Sequence, residues 1–265
     1  MGLVVNRWEL GESTEKGTMD NLTFKVGDCG RMLPEFKDID LILTDPPYNI
    51  NWDYPGMKDK IKDYRGWMRE IALKCYCSLK EGGIMAFINY PEHNNRLFCD
   101  LEGMGPNFVQ QLIWHYPTNI GHSKSKYTRS HRTILIYSKG KKWTFNSLKQ
   151  PYKNPTDKRI KALIENGSNG TNLYDTWEIN LCKNVSNSKK NNGVNQLPDK
   201  LCDSLILTYS NPGDMVLDPF AGNGTIPYRA VELERVGYGL DVYDYGWDIS
   251  ISRQCKIREI NDDTN

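Results

Sequence analysis

Short apolar runs alternate with longer amphipathic stretches along much of the chain. Residues 38–44 contain four Ile or Leu residues and stop at Pro46-Pro47, which is typical of a buried strand that ends abruptly. From Tyr64 to Leu79 large side chains recur at three- and four-residue steps, which predicts an amphipathic helix ended by Gly82-Gly83. Residues 84–88 predict the strand that follows this helix.

The last third of the chain shows the same alternation. Pro198 marks the first turn of a helix, and residues 215–217 predict a buried strand. A glycine-rich turn over residues 218–225 opens another helix, and residues 236–240 form a strand that ends in Asp241. Strands that alternate with helices on both sides of the middle segment predict an α/β fold with a doubly wound, mostly parallel sheet.

The middle of the chain carries a concentrated positive charge. Residues 121–161 contain twelve Lys or Arg against one acid, Asp157, although the whole chain of 265 residues has a net charge of only +1. Strand-like runs at 108–114 and 133–138 flank the first part of this segment, a loop rich in Ser, Thr, Tyr and Gly. A basic segment on an otherwise acidic chain predicts a localised anion-binding face, and the alternative is a solvated charged loop.

Composition argues against several other classes of protein. Seven cysteines without a CxxC pair indicate neither a disulfide framework nor a zinc ribbon, and a reducing cytoplasm suits them best. His115, His122 and His131 lack metal-ligand spacing, so no metal is proposed. No stretch approaches the roughly 18 uninterrupted apolar residues of a membrane span, so we expect an intracellular, cytoplasmic protein with no membrane partner.

The glycine-rich turn is a candidate nucleoside-binding site. Gly222 and Gly224 let the backbone pass close to a ligand, and the following helix offers free N–H groups at its N-terminus. Asp241 is placed to accept hydrogen bonds from ribose hydroxyls. Since no lysine follows the glycines, a triphosphate-binding loop is disfavoured, and a purely structural turn is the remaining alternative.

A second candidate site is the segment Thr44-Asp45-Pro46-Pro47-Tyr48-Asn49, at the carboxyl end of the first apolar strand. The two prolines hold the backbone extended and leave their carbonyl groups free to accept hydrogen bonds. Asp45 adds a carboxylate, and Tyr48 offers a flat face on which a base can stack. Because an exocyclic amine presents two N–H donors, a carboxylate and a carbonyl are its natural partners. The alternative is a turn that merely ends the strand.

The two motifs, taken in this order, resemble those of the amino-directed DNA methyltransferases, which act on adenine N6 or cytosine N4. In that family a DPPY-type motif binds the target amine, and a DPF-x-G-x-G turn binds S-adenosylmethionine. The chain carries Asp45-Pro46-Pro47-Tyr48 first and Asp218-Pro219-Phe220 with Gly222 and Gly224 later, an order similar to the permuted group called β. Gly27-Asp28-Cys29 is similar to a further element that contacts the cofactor.

The resemblance implies a fold and a division of the chain. The fold is the Rossmann-like sheet of the class I S-adenosylmethionine-dependent methyltransferases, with an inserted basic target-recognition segment. We accordingly predict an N-terminal tail over residues 1–20, a catalytic methyltransferase domain over 21–116 and 196–265, and an inserted target-recognition and loop region over 117–195. Within that last region, residues 183–195 are predicted to form a loop.

The resemblance and the charge pattern together assign roles to particular residues. The predicted catalytic residues are Asp45, Pro46, Pro47 and Tyr48; the cofactor-binding residues are Asp28, Cys29, Asp218, Phe220, Gly222, Gly224, Thr225 and Asp241; the DNA-binding residues are Lys124, Lys126, Arg129 and Arg132. Gln196-Leu197-Pro198 stands where relatives commonly have Gln-Lys-Pro, so a lysine contact is missing there. The implied partners are S-adenosylmethionine and double-stranded DNA, and the family also suggests a homodimer and a cognate restriction endonuclease.

Asp45 favours adenine as the target base, because relatives that act on cytosine more often carry Ser at this position. The target base has to leave the duplex, at a cost of a few kcal/mol. The alternatives are methylation of cytosine N4, methylation of RNA, and an inactive subunit that binds cofactor and nucleic acid. The presence of Asp45 and Tyr48 argues against the inactive subunit. The prediction in space is that Asp45 and Gly222 face one shared pocket.

Overall fold

The computed structural model describes residues 6–9, 12–14, 21–54, 57–117, 124–182 and 196–243. The strands within these residues are β1 (Asn6–Glu9), β2 (Glu12–Thr14), β3 (Leu22–Val26), β4 (Ile39–Thr44), β5 (Asp53–Tyr54), β6 (Met57–Lys58), β7 (Leu79–Asn89), β8 (Asn107–His115), β9 (His131–Ser138), β10 (Lys149–Gln150), β11 (Thr171–Asn172), β12 (Thr176–Glu178), β13 (Met215–Asp218) and β14 (Val236–Asp241). The helices are α1 (Cys29–Met32), α2 (Tyr64–Ser78), α3 (Pro91–Leu101), α4 (Lys158–Glu165), α5 (Asp199–Tyr209) and α6 (Thr225–Glu232).

Among the described strands, ten form a single sheet in the order β12-β8-β9-β7-β4-β13-β14-β3-β1-β2. Neighbours from β7 to β1 pair in parallel, whereas β9 is antiparallel to both β7 and β8. The chain leaves β4 through α2 toward β7, and it leaves β13 through α6 in the opposite direction toward β14. This divergence opens a crevice beyond the carboxyl ends of β4 and β13, where open α/β sheets bind ligands.

Two hydrophobic cores cover the two faces of the sheet, and β4 contributes to both. Ile42 packs on one face with residues of α1, α2 and α3, whereas Leu41 and Leu43 pack on the other face with residues of α5 and α6. This alternation follows from the two-residue period of a strand. All three side chains are fully buried, and each such burial stabilises the fold by about 1.5–3 kcal/mol. The helices on both faces therefore fix the position at which β4 ends.

The structure confirms the predicted fold class and most of the predicted elements. The strand predicted over 38–44 is β4, and the helix predicted from Tyr64 is α2. The predicted strands of the last third are β13, which ends one residue later than expected, at Asp218, and β14, which ends at Asp241 as expected. None of the helices that the structure describes is both long and apolar enough to cross a lipid bilayer.

The prediction that Gly82-Gly83 ends a helix is wrong. Helix α2 ends at Ser78, because Leu79 is already extended, and both glycines lie inside β7. Gly82 has a φ of +82°, which favours glycine, and its N–H donates to the Lys139 carbonyl over 2.7 Å. These glycines therefore shape the start of a strand, where the chain from β9 passes close by.

The predicted boundaries of the tail and the insertion also need correction. Strands β9 and β12 lie within the predicted insertion at 117–195, yet both belong to the main sheet. Strand β1 lies within the predicted tail at 1–20, and its backbone pairs in parallel with β3. The sequence pattern did not show that these strands extend the main sheet, because strands acquire their sheet partners only in the tertiary structure. The loop predicted at 183–195 falls outside the described residues.

Candidate active site

A cavity of about 380 Å³ lies beyond the carboxyl ends of β4, β13 and β14, within the usual range of about 300–1,000 Å³ for ligand sites. Asp45 and Gly222 both line it, so the prediction that they face one pocket is confirmed. The lining includes the predicted residues Asp28, Cys29, Asp45, Pro46, Pro47, Tyr48, Asp218, Phe220, Gly222, Thr225 and Asp241.

One hydrogen bond joins the two halves of this site. The Thr44 hydroxyl, at the end of β4, donates to Asp218 Oδ1, at the end of β13, over 2.7 Å, and both side chains are buried. The Phe220 N–H donates to the same oxygen over 3.0 Å. Burial raises the pKa of Asp218 to about 7, although both hydrogen bonds act in the opposite direction. Sequence analysis placed Thr44 in the candidate segment but missed its contact with Asp218, since the two residues are 174 positions apart.

The glycine-rich turn is held by Asp241. The Gly222 N–H donates to Asp241 Oδ2 over 2.8 Å, and the Tyr243 N–H donates to Oδ1 over 3.0 Å. Each carboxylate oxygen has a second lone pair, and the side chain lines the cavity, so Asp241 can still accept hydrogen bonds from a ligand. Burial raises the pKa of Asp241.

Gly224 has a structural role at the end of the glycine-rich turn. Within the described chain it is not among the residues that line the cavity, although it was predicted to bind the cofactor. It is the N-cap of α6, with a left-handed φ of 77°. Glycine adopts this conformation readily, so Gly224 turns the chain from the cavity wall into the helix.

Apolar and aromatic side chains form much of the cavity wall. Trp67 of α2 packs against Phe220, with ring centroids 5.4 Å apart. Leu197, at the position where the family resemblance led us to expect a lysine, is 6% exposed and provides an apolar wall. The helical pattern predicted an apolar face that included Trp67, but periodicity does not show that this face borders a cavity. Burial raises the pKa of the Cys29 thiol well above its ordinary value, so the thiol is neutral.

Side chains outside the catalytic motif hold the turn from Asp45 to Tyr48. The Tyr64 hydroxyl donates to the Pro47 carbonyl over 2.5 Å and accepts from Asn89 Nδ2 over 2.8 Å. Tyr64 begins α2 and Asn89 ends β7, so two elements fix the second proline from outside the cavity.

His93 anchors the last residue of the turn. Its Nε2 lies 3.0 Å from the Tyr48 carbonyl oxygen, and burial lowers the pKa of the imidazole, so a neutral ring donates this hydrogen bond. The carbonyls of Pro47 and Tyr48 both accept hydrogen bonds from side chains. Among the three carbonyls of residues 46–48, only that of Pro46 receives no hydrogen bond from a described side chain. The geometry thus leaves Pro46 and Asp45 as the acceptors of the turn.

Asp45 and Tyr48 contact one another directly. The Tyr48 hydroxyl donates a short hydrogen bond to Asp45 Oδ1, and the Tyr48 ring packs against Tyr90 with centroids 4.6 Å apart. Tyr48 is only 7% exposed. Burial raises the pKa of Asp45, whereas Arg132 and the Tyr48 hydroxyl oppose that rise.

Arg132 does not occupy the position predicted for it. It was predicted to contact DNA from the basic loop, but it lies in β9 and its residue exposure is 8%. Its Nη1 is 3.9 Å from Asp45 Oδ2, and its guanidinium carbon lies 4.6 Å from the centre of the Tyr48 ring. The side chain is therefore part of the catalytic end of the site, where the strand period points it inward.

The basic loop itself lies at the same edge of the sheet as the cavity. His115, at the end of β8, pairs with His131, and Thr133 pairs with Asn89, at the end of β7. The connection between β8 and β9 therefore emerges beside the carboxyl ends of the parallel strands. Lys124 in this connection is exposed.

The remaining predicted DNA-binding residues differ in their surroundings. Lys126 is exposed, like its neighbours in the loop. Arg129 is partly buried: its Nη2 lies 2.6 Å from Glu92 Oε1, and its guanidinium lies 3.8 Å from the centre of the Tyr90 ring. Arg129 thus joins the loop to the start of α3.

The basic segment is not one continuous face. Lys139 Nζ donates to the Leu79 carbonyl over 2.6 Å, and Asn146 Nδ2 donates to the Leu207 carbonyl over 3.0 Å. Leu79 begins β7, and Leu207 lies near the end of α5, so both contacts are at the amino edge of the sheet. The prediction of a single anion-binding face over 121–161 is therefore wrong: its first part and the stretch 139–146 lie at opposite edges.

A family model for N6/N4 methyltransferases, described as DNA methylase, matches residues 39–251. This chain belongs to the N6/N4 DNA methylase family. The type II methyltransferase M.HpaI of Haemophilus parainfluenzae is 32% identical over 78% of this chain and 65% of the relative. DNA adenine methyltransferase YhdJ of Escherichia coli (strain K12) is 30% identical over 78% of this chain and 72% of the relative. The match to M.BglII of Bacillus subtilis, at 28% identity, spans 64% of that protein, so this chain spans just under two thirds of the length of M.HpaI and M.BglII.

Solved structures share the fold of this N6/N4 methylase. M1.HpyAVI in complex with S-adenosylmethionine superposes with a TM-score of 0.64 at 19% identity, covering 87% of this chain and 98% of that chain. The cytosine-N4-specific PvuII methyltransferase superposes with a TM-score of 0.66 at 17% identity, covering 86% and 85%. S-adenosylmethionine is the cofactor of this family. The cavity suits it: the Asp241 carboxylate, the Gly222 bend and aromatic walls meet in one place.

Proposed function

We propose that this chain transfers a methyl group from S-adenosylmethionine to the N6 amine of an adenine flipped out of double-stranded DNA. The observation that carries the proposal is that Asp45 and Pro46 line the same cavity as Gly222 and Asp241. The first pair supplies the acceptors that an exocyclic amine requires, and the second supplies a nucleoside-binding bend.

On the cofactor side, Asp241 accepts hydrogen bonds from the ribose hydroxyls, and Phe220 with Trp67 provides an aromatic wall. When bound, S-adenosylmethionine supplies an activated methyl group on a sulfonium. The Asp218 carboxyl, whose pKa of about 7 leaves it partly protonated at neutral pH, becomes an anion more readily once a positive charge is nearby. Asp28, Cys29 and Thr225 complete the proposed cofactor contacts.

On the amine side, Asp45 and the Pro46 carbonyl accept the two N–H groups. An aromatic amine is a weak nucleophile because its lone pair is delocalised into the ring, and these two hydrogen bonds localise the pair and aim it at the methyl carbon. Asp45 receives the proton after transfer or passes it to water. The Tyr48 hydroxyl already donates to Asp45 Oδ1, so the amine N–H uses the second lone pair of that oxygen.

Base flipping is supported by Tyr48 and by the edge at which the basic loop lies. Stacking of the base on Tyr48 is worth about 1–3 kcal/mol, comparable with the cost of unstacking a base. Lys124 and Lys126 are exposed at the carboxyl edge, where phosphate contacts hold a duplex over the cavity. Double-stranded DNA is therefore the proposed partner; a homodimer and a cognate restriction endonuclease stay predictions from the family.

Adenine is the proposed base because Asp45 is a full carboxylate acceptor. The relative YhdJ, a DNA adenine methyltransferase by name, supports this choice. Methylation of cytosine N4 is the second candidate, because it requires the same two acceptors.

The test is incubation of the protein with tritiated S-adenosylmethionine and unmethylated duplex DNA, with a parallel incubation on RNA, followed by identification of the labelled nucleoside. Label on N6-methyladenine is the expected result. Label on N4-methylcytosine would replace the proposed base with the second candidate, and label in RNA alone would refute the DNA substrate.

Asp45→Ala is the matched control for this experiment. We expect it to lower transfer by about 10²–10³-fold, since it removes an acceptor needed in the transition state. Affinity for S-adenosylmethionine, measured by calorimetry, should stay within a few-fold of wild type because the cofactor contacts remain. A fully active Asp45→Ala enzyme would disprove the role assigned to the carboxylate.

A further inference from the structure

Arg132 has a position that its role as a predicted DNA contact does not explain. Its side chain is 10% exposed, and its Nη1 lies 3.9 Å from Oδ2 of Asp45. Aromatic rings surround the guanidinium; the distances from its carbon to the ring centres are 4.6 Å for Tyr48, 5.0 Å for Trp114, 5.8 Å for Tyr90 and 5.8 Å for Tyr116. A cation is thus enclosed beside the carboxylate of the catalytic turn.

This burial is costly for the fold. Removing a guanidinium from water costs several kcal/mol unless close partners compensate, and 3.9 Å is long for an ion pair. Among the described residues, the buried Arg132 Nε has no hydrogen-bond partner. Cation–π contacts offset only part of the cost. An apolar side chain would fill this position at lower cost, so the charge itself is the feature to explain.

We propose that Arg132 is a positioning residue of the methyl-transfer site. It keeps Asp45 ionised and holds one carboxylate oxygen, which leaves the other to accept the target amine. Oδ2 faces the guanidinium, and Oδ1 accepts the hydrogen bond from Tyr48. When the target amine enters, its N–H donates to the second lone pair of Oδ1, while Oδ2 stays with Arg132. The inference rests on the proposed function, but it holds for either target base.

The other groups that face Asp45 cannot replace Arg132 in this task. Tyr48 comes from the same turn, Asp218 from β13 and Cys202 from α5. None of these three is a cation, and an ionised Asp218 disfavours a second carboxylate nearby. Burial raises the pKa of Asp45, and the charge of Arg132 is the largest opposing influence. A protonated Asp45 has one fewer acceptor for the amine and cannot take up the proton that is released.

The test compares Arg132→Gln and Arg132→Lys with wild type in methyl transfer to duplex DNA, with kcat followed from about pH 5 to 9. We expect Arg132→Gln to move the acidic limb of the kcat–pH profile to higher pH by about 1–3 units, the usual effect of a neighbouring charge on a pKa. Activity at pH 7 should fall, by at most about tenfold per unit of that shift, and recover at alkaline pH. Arg132→Lys, which keeps the charge, should keep the limb close to wild type.

Arg129→Gln is the matched control. It removes the same charge three residues away, beside Tyr90, where wild-type Arg129 forms its ion pair with Glu92 and not with Asp45. The KM of Arg129→Gln for DNA can differ from that of wild type, but the acidic limb of its kcat–pH profile should stay at the wild-type pH. Arg132 is not among the described residues lining the cavity, so calorimetry should show wild-type cofactor affinity for each folded variant.

Three results would overturn the proposal: an unmoved limb in Arg132→Gln, an equal shift in Arg129→Gln, or a limb in Arg132→Lys shifted as far as in Arg132→Gln. If Arg132→Gln does not fold, Arg132→Lys decides alone, since a displaced limb in that variant contradicts the role of the charge. Failure of the proposed function is distinguished at once, because wild type would then label no base at any pH.

Discussion

Arg129 and Arg132 stand three residues apart in one basic stretch, yet they have different environments. Arg129 pairs with Glu92 at the surface, whereas Arg132 is enclosed by aromatic rings beside Asp45. The sequence shows the charge of each arginine but not its partner. The partner depends on which side of β9 the side chain faces and on which strand lies next to β9. Thr44 shows the same dependence, because its hydroxyl gains a role only when β4 and β13 are adjacent.

Thr44→Val tests this contact at the scale of one residue. Above pH 7 Asp218 is ionised, and a hydrogen bond to a charged group contributes about 1.5–3 kcal/mol, so the variant should lose about that free energy of unfolding at pH 8.5. At pH 5 Asp218 is protonated and the loss should be nearer 0.5–1.5 kcal/mol. Urea unfolding at the two pH values measures the difference.

Thr44→Ser is the control, since it keeps the hydroxyl, and its loss should be similar at both pH values. Folding raises the pKa of Asp218 from 3.8 to about 7. The contribution of the protonated carboxyl to the free energy of unfolding is therefore complete below pH 3.8 and is lost as the pH rises through 7. Equal losses for Thr44→Val at both pH values would contradict the assigned ionisation.

At the scale of elements, the segment after the catalytic turn is a hairpin that the sequence pattern did not predict. Strands β5 and β6 pair in it, and its base is closed by Asp59, which is fully buried. The Asp59 carboxylate accepts the N–H groups of Asn49 over 2.9 Å and Ile50 over 3.1 Å. The hairpin is therefore tied directly to the residues that follow Tyr48, so its position and that of the turn are coupled.

The close packing of α6 on β14 is a second arrangement at this scale. A Cβ added to Gly237 would lie 2.3 Å from the Pro227 carbonyl oxygen, a backbone atom of α6. We expect Gly237→Ala to push α6 away and lower the free energy of unfolding by about 1–3 kcal/mol or more. Because the N-terminus of α6 borders the cavity, affinity for S-adenosylmethionine should fall too. Urea unfolding and calorimetry measure the two effects.

Gly30→Ala provides the comparison for that substitution. The atoms nearest to its added Cβ are side-chain ends, at 3.1 Å for Asp28 and 3.3 Å for Ile71, and these can move. Its stability should stay within about 0.5 kcal/mol of wild type, as for a change without a fixed clash. If Gly237→Ala behaved like Gly30→Ala, the close approach of α6 to β14 would not be a constraint.

On the scale of the whole molecule, the sheet separates two regions of positive charge. The β8–β9 connection, with Lys124 and Lys126, lies at the carboxyl edge beside the cavity, and the chain around Lys141 and Lys142 lies at the amino edge. A duplex bound over the cavity meets the first region and not the second. The net charge of the segment says nothing about this division.

Replacing Lys124 and Lys126 together with Ala should weaken DNA binding and reduce its salt dependence. Each lost phosphate contact lowers the slope of log K against log salt concentration by about 0.9, so a decrease of up to about 1.8 is expected. Fluorescence anisotropy over a salt series gives the slope.

The double replacement of Lys141 and Lys142 removes the same charge from the opposite edge and should leave the slope unchanged. A smaller salt slope after replacement of Lys141 and Lys142, or an unchanged slope after replacement of Lys124 and Lys126, would mean that the duplex lies elsewhere on the protein.

The sequence by itself determined the alternation of strands and helices, the two motifs and the acidic residue that ends β14, because apolar periodicity and turn chemistry are local properties of the chain. It also determined that both motifs follow strands. The tertiary structure decided which strands are neighbours, and so joined Thr44 to Asp218, brought Arg132 to Asp45 and divided the basic segment between two edges. Those contacts depend on strand order and on the burial of side chains between packed layers, which no local pattern encodes.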